Sequence, residues 1–363
     1  GGRDVRLGAE QPHRSDVAKA MQEPTFVFKR PEDTAVQHTI GEGIIMEDVA
    51  GEGPEVAAAE APSVPEPQKR KAPVLTEVLE GTATLPPVEV PKGVVVLGHP
   101  ISQTSLLQQI LVAAGLYSGP GNKSGGGTWK EVNVQNTALM VPQRTGTFKG
   151  LGKFKPEVAV QEIQDHRVSF DLGGIVLDQL KVSGTEWVMQ GEGMAWTLQA
   201  WAHFMKTPPA LVLTYSHPMT LVSKLQRKPV KEGLSYWIGY TIQIFSDPFL
   251  TSLCRVYTSD EDLLAEPVEE AKHILDDLNK NCGMNIKYEE SQIEELQRFK
   301  QDVKDSYEEC QHPLGEDALE KLLLGQPDLT ATKQRYRDAM YIFCGLENGD
   351  AMKDSFQWPA MNA

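Results

Sequence analysis

The segment Gly93-Val-Val-Val-Leu97, with Gly98-His-Pro-Ile-Ser-Gln103 directly after it, constrains this chain more than any other feature. Val94 to Leu97 is a continuous apolar run, which suits a strand buried on both faces. In residues 104–116, Leu106, Leu107, Ile110, Leu111 and Ala114 recur at helical spacing. Strand, tight loop, helix is the opening unit of a P-loop type α/β domain.

The alternation continues. Further strands are expected at 186–189, 210–215 and 255–257. Helices are expected at 131–141, over most of 156–182, and at 195–205, 219–227, 234–245 and 267–279. Strands alternating with helices imply a three-layer α/β domain with a parallel sheet over residues 93–280. The aromatic set Trp187, Trp196, Trp201, Tyr236, Trp237 and Tyr240 reads as core packing.

Two other regions flank that domain. Residues 1–92 read as an extended, proline-rich arm. Eight prolines lie between Gly51 and Lys92, a composition that buries too little apolar surface to offset its ordering entropy. One short helix is expected around 73–80, and Lys69-Arg-Lys71 reads as a solvated basic cluster. Residues 281–363 form an acidic helical extension. From Thr258 to the end there are about 24 acidic and 11 basic side chains. Its helices are expected at 293–308, around 319–324 and at 336–346. The Phe356-Gln-Trp358-Pro tail is either a docking segment or packs back on its own domain.

Composition excludes some functions. The chain has 35 Lys+Arg against 50 Asp+Glu, a formal charge of −15, which argues against electrostatic capture of nucleic acid. No apolar run approaches the length of a membrane helix. The four cysteines show neither a disulfide framework nor zinc spacing and read as buried or idle thiols. No His and carboxylate clustering suggests a metal site. The chain starts at Gly1, not Met, as it would after cleavage of an organelle presequence.

Four segments carry a family resemblance. Gly98-His-Pro-Ile-Ser-Gln-Thr-Ser-Leu-Leu107 resembles the phosphosulfate-binding loop of the sulfotransferases, Gly-Met-His-Arg-Ser-Gly-Thr-Ser-Leu-Leu. Leu213-Thr-Tyr-Ser-His-Pro-Met-Thr-Leu-Val222 resembles their second motif, a strand ending in Arg-(His/Asn)-Pro. Gly233-Leu-Ser-Tyr-Trp-Ile-Gly-Tyr240 is similar to the Gly-Leu-x-x-Trp-x-x-Tyr helix. Tyr257-Thr-Ser-Asp-Glu-Asp-Leu-Leu-Ala-Glu-Pro267 is similar to the later Tyr-Glu-Asp-Leu-Leu-x-(Asp/Glu)-Pro segment.

In that family the loop holds 3′-phosphoadenosine 5′-phosphosulfate through backbone N–H groups and a helix N-terminus. The resemblance therefore assigns Gly98, Ser102, Thr104 and Ser105 as a degenerate cofactor loop. The family's cations are replaced. Ile101 stands for the loop Arg, Ser216 for the Arg that grips the 3′-phosphate, and Gln190-Gly-Glu-Gly193 for a Lys-Asp-Pro-Arg segment. Gln103 stands for the loop glycine, where a positive φ would cost about 1 kcal/mol. Lys224 stands where the second motif has its Ser.

The expectation is a non-catalytic accessory subunit of a large organellar assembly. It has no catalytic residue and no cofactor, and binds other protein subunits through the arm and the C-terminal helices. A mitochondrial location is expected over chloroplast or cytoplasm. The alternative is a divergent sulfotransferase with Ser102, Thr104 and Ser105 at the phosphosulfate and Lys224 or the 121–127 loop supplying charge. A further alternative is a nucleotide-sensing module. His99 and His217 stand at the ends of core strands; His217-Pro218 is the pair the second motif implies, and His99 reads as a surface or capping residue, with a catalytic base as the alternative.

Overall fold

The structure is a computed structural model that describes residues 86–99, 102–120, 129–143, 154–191, 193–225, 229–303, 307–353 and 355–359. The expected helix at 73–80, the Lys69-Arg-Lys71 cluster, the 121–127 loop, Ile101, Glu192 and the arm up to residue 85 lie outside the described residues. Of residues 86–92, Val88 makes an isolated parallel bridge with Met205. Val88 exchanges backbone bonds with Phe204 (2.8 Å) and Lys206 (3.0 Å), and Pro91 accepts a bond from Trp187 Nε1 (2.8 Å).

Four strands form one parallel sheet in the order β2-β1-β3-β4: β1 (Gly93–Leu97), β2 (Trp187–Gln190), β3 (Ala210–Tyr215) and β4 (Arg255–Ser259). All four expected strands are present, and the α/β class with a parallel sheet is the observed one. Period-two alternation splits each strand between two cores. Val95, Leu97, Trp187, Met189, Leu211 and Leu213 face one side, and Val94, Val96, Val188, Val212 and Val256 face the other. A strand with no solvated face has to be apolar throughout, which is why β1 reads as an unbroken valine run.

Between β1 and β2 lie α1 (Thr104–Ala113), α2 (Lys130–Met140), α3 (Pro156–Gln164) and α4 (Asp171–Ser183). Then α5 (Met194–His203) leads to β3. Next come α6 (Pro218–Lys224), α7 (Val230–Ser246) and α8 (Pro248–Ser252), which lead to β4. After β4 come α9 (Asp260–Ala265) and α10 (Pro267–Cys282), then α11 (Glu290–Glu294), α12 (Tyr307–Gln311), α13 (Glu316–Leu322) and α14 (Leu329–Glu347). The helix α1 stops short of the expected Leu116 because Gly115 turns the chain at φ +94°. The single helix expected at 293–308 is not formed. It gives way after α11 to a 3-10 turn at Glu295–Phe299, and Lys300–Val303 are not helical.

α1, α10 and α11 cover one face of the sheet; α2, α3, α4, α5, α7 and α14 cover the other. Trp187, Trp201 and Trp237 are fully buried, so the aromatic set is core. Inside it, Asn136 Oδ1 accepts from both Thr197 Oγ1 and Trp201 Nε1 at 2.8 Å, satisfying two buried donors. The C-terminal tail packs back: Phe356 stacks on Tyr341 with ring centroids 5.0 Å apart.

The reading of the cysteines as thiols is overturned. Cys254 bonds Cys282 and Cys310 bonds Cys344, each pair with Cα atoms 5.4 Å apart. Separations of 28 and 34 residues carry no signature in sequence. The first pair exists because α10 returns its C-terminus to the start of β4, the second because α12 lies on α14.

Candidate functional site: the carboxyl ends of β1, β3 and β4

In a parallel sheet the chemistry gathers where the strands end in loops. Gly98 leaves β1 in close quarters. A Cβ there would lie 2.4 Å from Thr214 Cγ2 and 2.6 Å from Ser102 Oγ, so no larger residue fits. The loop closes on itself through Ser102, whose N–H (2.9 Å) and Oγ (2.7 Å) both donate to the His99 carbonyl. Gln103 sits at φ −77°, ψ 26°, an ordinary conformation, so the strain expected of a side chain at the glycine position does not arise.

The acceptor at this loop is the protein's own. Asp260, the first residue of α9, is 3% exposed, and its Oδ1 accepts from the Gln103 N–H (3.0 Å) and from Thr214 Oγ1 (2.6 Å). It thus takes one backbone donor, the N-cap amide of α1, where a helix end favours negative charge. Its Oδ2 is buried without a hydrogen-bond partner. Burial raises the Asp260 carboxyl to about 7, opposed by its bonds to Thr214 and Gln103. Sequence reading placed Asp260 in a family-like segment but gave it no role. The available signal was an acidic run, Asp260-Glu-Asp262, starting where a strand ends beside the loop.

More carboxylates surround it. Glu261 Oε1 accepts from the His217 N–H at 2.9 Å, and burial raises its carboxyl. Glu309 of α12 lies 3.4 Å from His217 Nε2. Burial, followed by Glu347, pushes the Tyr215 phenol far up, so it stays neutral. His217 caps α6, its Nδ1 accepting from the Met219 N–H at 3.3 Å. Lys224 is exposed and acts on Asp260 only as a weak favourable charge.

The residues assigned to the cofactor loop are brought together, and two of them, Ser102 and Thr104, are engaged within the protein. Thr104 is buried, and its Oγ1 accepts from Gln190 Nε2 at 2.8 Å. Ser102 bonds back to His99, and Ser105 is exposed. Ser216 is buried, its carbonyl accepting from Trp237 Nε1 at 2.9 Å.

His99 is neither a surface nor a capping residue. It is fully buried between Trp237, with rings stacked 5.9 Å apart, and Tyr240 at 4.7 Å. Its Nε2 meets Thr241 Oγ1 at 3.2 Å and its Nδ1 has no hydrogen-bond partner. Burial lowers it to about 3, so it is a neutral imidazole at any ordinary pH. A sequence shows that His follows a strand, but not that three aromatic rings of α7 close over it.

A polyanion placed at this loop would meet the Asp260 carboxylate at the amide it needs, with Glu261 and Glu309 at the neighbouring strand end. Among the described residues, the groups beside this loop do not suit 3′-phosphoadenosine 5′-phosphosulfate. Among the described residues, no three His, Cys, Asp or Glu side chains are grouped to hold a metal ion, and no helix is long and apolar enough to cross a membrane.

No family model and no curated protein matches the chain. Among solved structures it is similar to a sulfotransferase domain from the curacin biosynthetic pathway, at 12% identity and a TM-score of 0.36, over 77% of this chain and 95% of that one. It is also similar to the sulfotransferase domain of the Synechococcus PCC 7002 olefin synthase, at 15% identity and a TM-score of 0.37, over 69% of this chain and 94% of that one. Likenesses of this size carry no conclusion about chemistry, which rests on the residues above.

Proposed function

We propose that this chain is a non-catalytic accessory subunit of a larger protein assembly, built on a sulfotransferase-like α/β domain whose anion cradle is filled by its own carboxylate. One observation carries the reading: Asp260 occupies the Gln103 amide and the Thr214 hydroxyl beside β1. A transferase of sulfuryl groups needs fixed donors and cations there to take up developing negative charge. This loop offers its donor to an internal anion. Fold alone does not supply function, so a scaffold whose site chemistry is replaced is read by its surfaces.

Those surfaces favour contact with protein partners. Leu322 at the end of α13 is 46% exposed and Leu324 in the turn after it 77%, apolar area that a partner would cover. The arm before residue 86 supplies a second means of contact under the same reading. Two disulfides favour an oxidising compartment over a reducing one. For a mitochondrial protein that means the intermembrane space, not the matrix.

The test is titration of the purified full chain with 3′-phosphoadenosine 5′-phosphate by calorimetry, checked by thermal shift. The expected result is no binding up to millimolar ligand from a folded protein. Micromolar binding would overturn the reading and put the divergent sulfotransferase first. Gel filtration of native extract, followed with an antibody, tests the assembly: elution as a monomer would argue against it.

A further inference from the structure

A cavity of about 500 Å³ lies in the C-terminal helices, away from the β1 loop, between α12, α13, α14 and the returning tail. That volume falls within the range of small-molecule sites. Its walls are apolar: Pro313, Leu314, Leu319, Met340, Tyr341 and Phe356. Leu314 at 39% and Tyr341 at 51% exposure leave an apolar mouth open to solvent.

The charged groups along the cavity are already engaged. Arg337 bonds Glu316, Asp350 bonds Lys353 at 2.6 Å, and Glu309 takes the Tyr336 hydroxyl and faces His217. Among the described residues a charged ligand would find no uncommitted counter-ion, and it would lose hydration on entry. An uncharged ligand gives up nothing and covers apolar wall. The cavity also cannot collapse cheaply. The Cys310–Cys344 bond pins α12 to α14, and Phe356 is wedged against Gly345, where a Cβ would lie 2.6 Å from its ring. A pocket held open in this way loses little entropy on binding.

From these observations we infer that the cavity binds an uncharged, largely apolar small molecule, seated against Met340 and the stacked Tyr341 and Phe356 with Leu314 at its mouth.

The test uses the oxidised full chain and the neutral fluorophore N-phenyl-1-naphthylamine, followed by its emission. Saturable binding at one equivalent is expected. Leu314→Trp, at the mouth, and Met340→Trp, in the wall, should each weaken it by about tenfold by filling space the probe needs. The double variant Cys310→Ser/Cys344→Ser, which leaves the other disulfide intact, should also weaken it by freeing α12. The anionic 1-anilinonaphthalene-8-sulfonate should bind at least tenfold more weakly than the neutral probe. No saturable binding to the folded chain, or binding unchanged in both tryptophan variants, overturns the site. Equal or tighter binding of the anionic dye overturns the ligand class.

Discussion

Asp260→Asn removes a charge from the loop while keeping the acceptor that Gln103 and Thr214 use. The amide oxygen of Asn takes both bonds, and its NH2 stands where Oδ2 has no partner. Burial holds the Asp260 carboxyl at about 7 against an ordinary 3.8. The folded chain therefore keeps this proton more tightly than the unfolded chain. The stability this confers is full below about 3.8 and is lost as pH rises through about 7. Over that whole window the shift corresponds to about 4 kcal/mol. Between about pH 5.5 and pH 8.5 the wild type gives up about 2 kcal/mol of it, and the Asn variant none. His99 titrates in the opposite sense at acid pH, but it is common to both proteins and cancels in the difference. The assay is urea unfolding of both proteins at the two pH values with the disulfides kept oxidised. The variant should gain about 2 kcal/mol on the wild type as pH rises. A variant-minus-wild-type difference independent of pH would refute the reasoning, since Asp260 would then be ionised and hydrated in the folded chain throughout.

Other consequences follow from the same structure. His99→Phe keeps the stacking on Trp237 and Tyr240 but removes a buried imidazole held at about 3. A depressed histidine costs stability as pH falls below its unfolded value. Between about pH 7.5 and pH 5 the variant should therefore gain about 2 kcal/mol on the wild type; unfolding curves that shift in parallel would contradict this. Cys254→Ser/Cys282→Ser opens a loop closed over 28 residues and should cost about 3.5 kcal/mol of unfolding free energy under oxidising conditions. An unchanged urea midpoint would mean that the two cysteines are not paired in solution.

The sheet is written in local sequence. Val94 to Leu97 has no polar residue to turn toward water, so the strand must lie between two helical layers. The apolar run 210–215 repeats the instruction for β3. These signals are local, because the period of the apolar residues is written in consecutive positions. The Gly98–Ser105 segment was legible as a strand-to-helix loop on the same ground.

Tertiary structure alone decided what fills that loop. Asp260 reaches the Gln103 amide across 157 residues of chain, and Thr214 joins it only because β3 pairs with β1. The burial of His99 depends on α7 closing over it. The two disulfides, and the cavity that one of them holds open, depend on how α10, α12 and α14 return to earlier elements. Such contacts form between residues whose separation in sequence carries no period and no spacing rule. They are fixed by the packing of whole elements, and they separate a loop that awaits an anion from one that already contains its own.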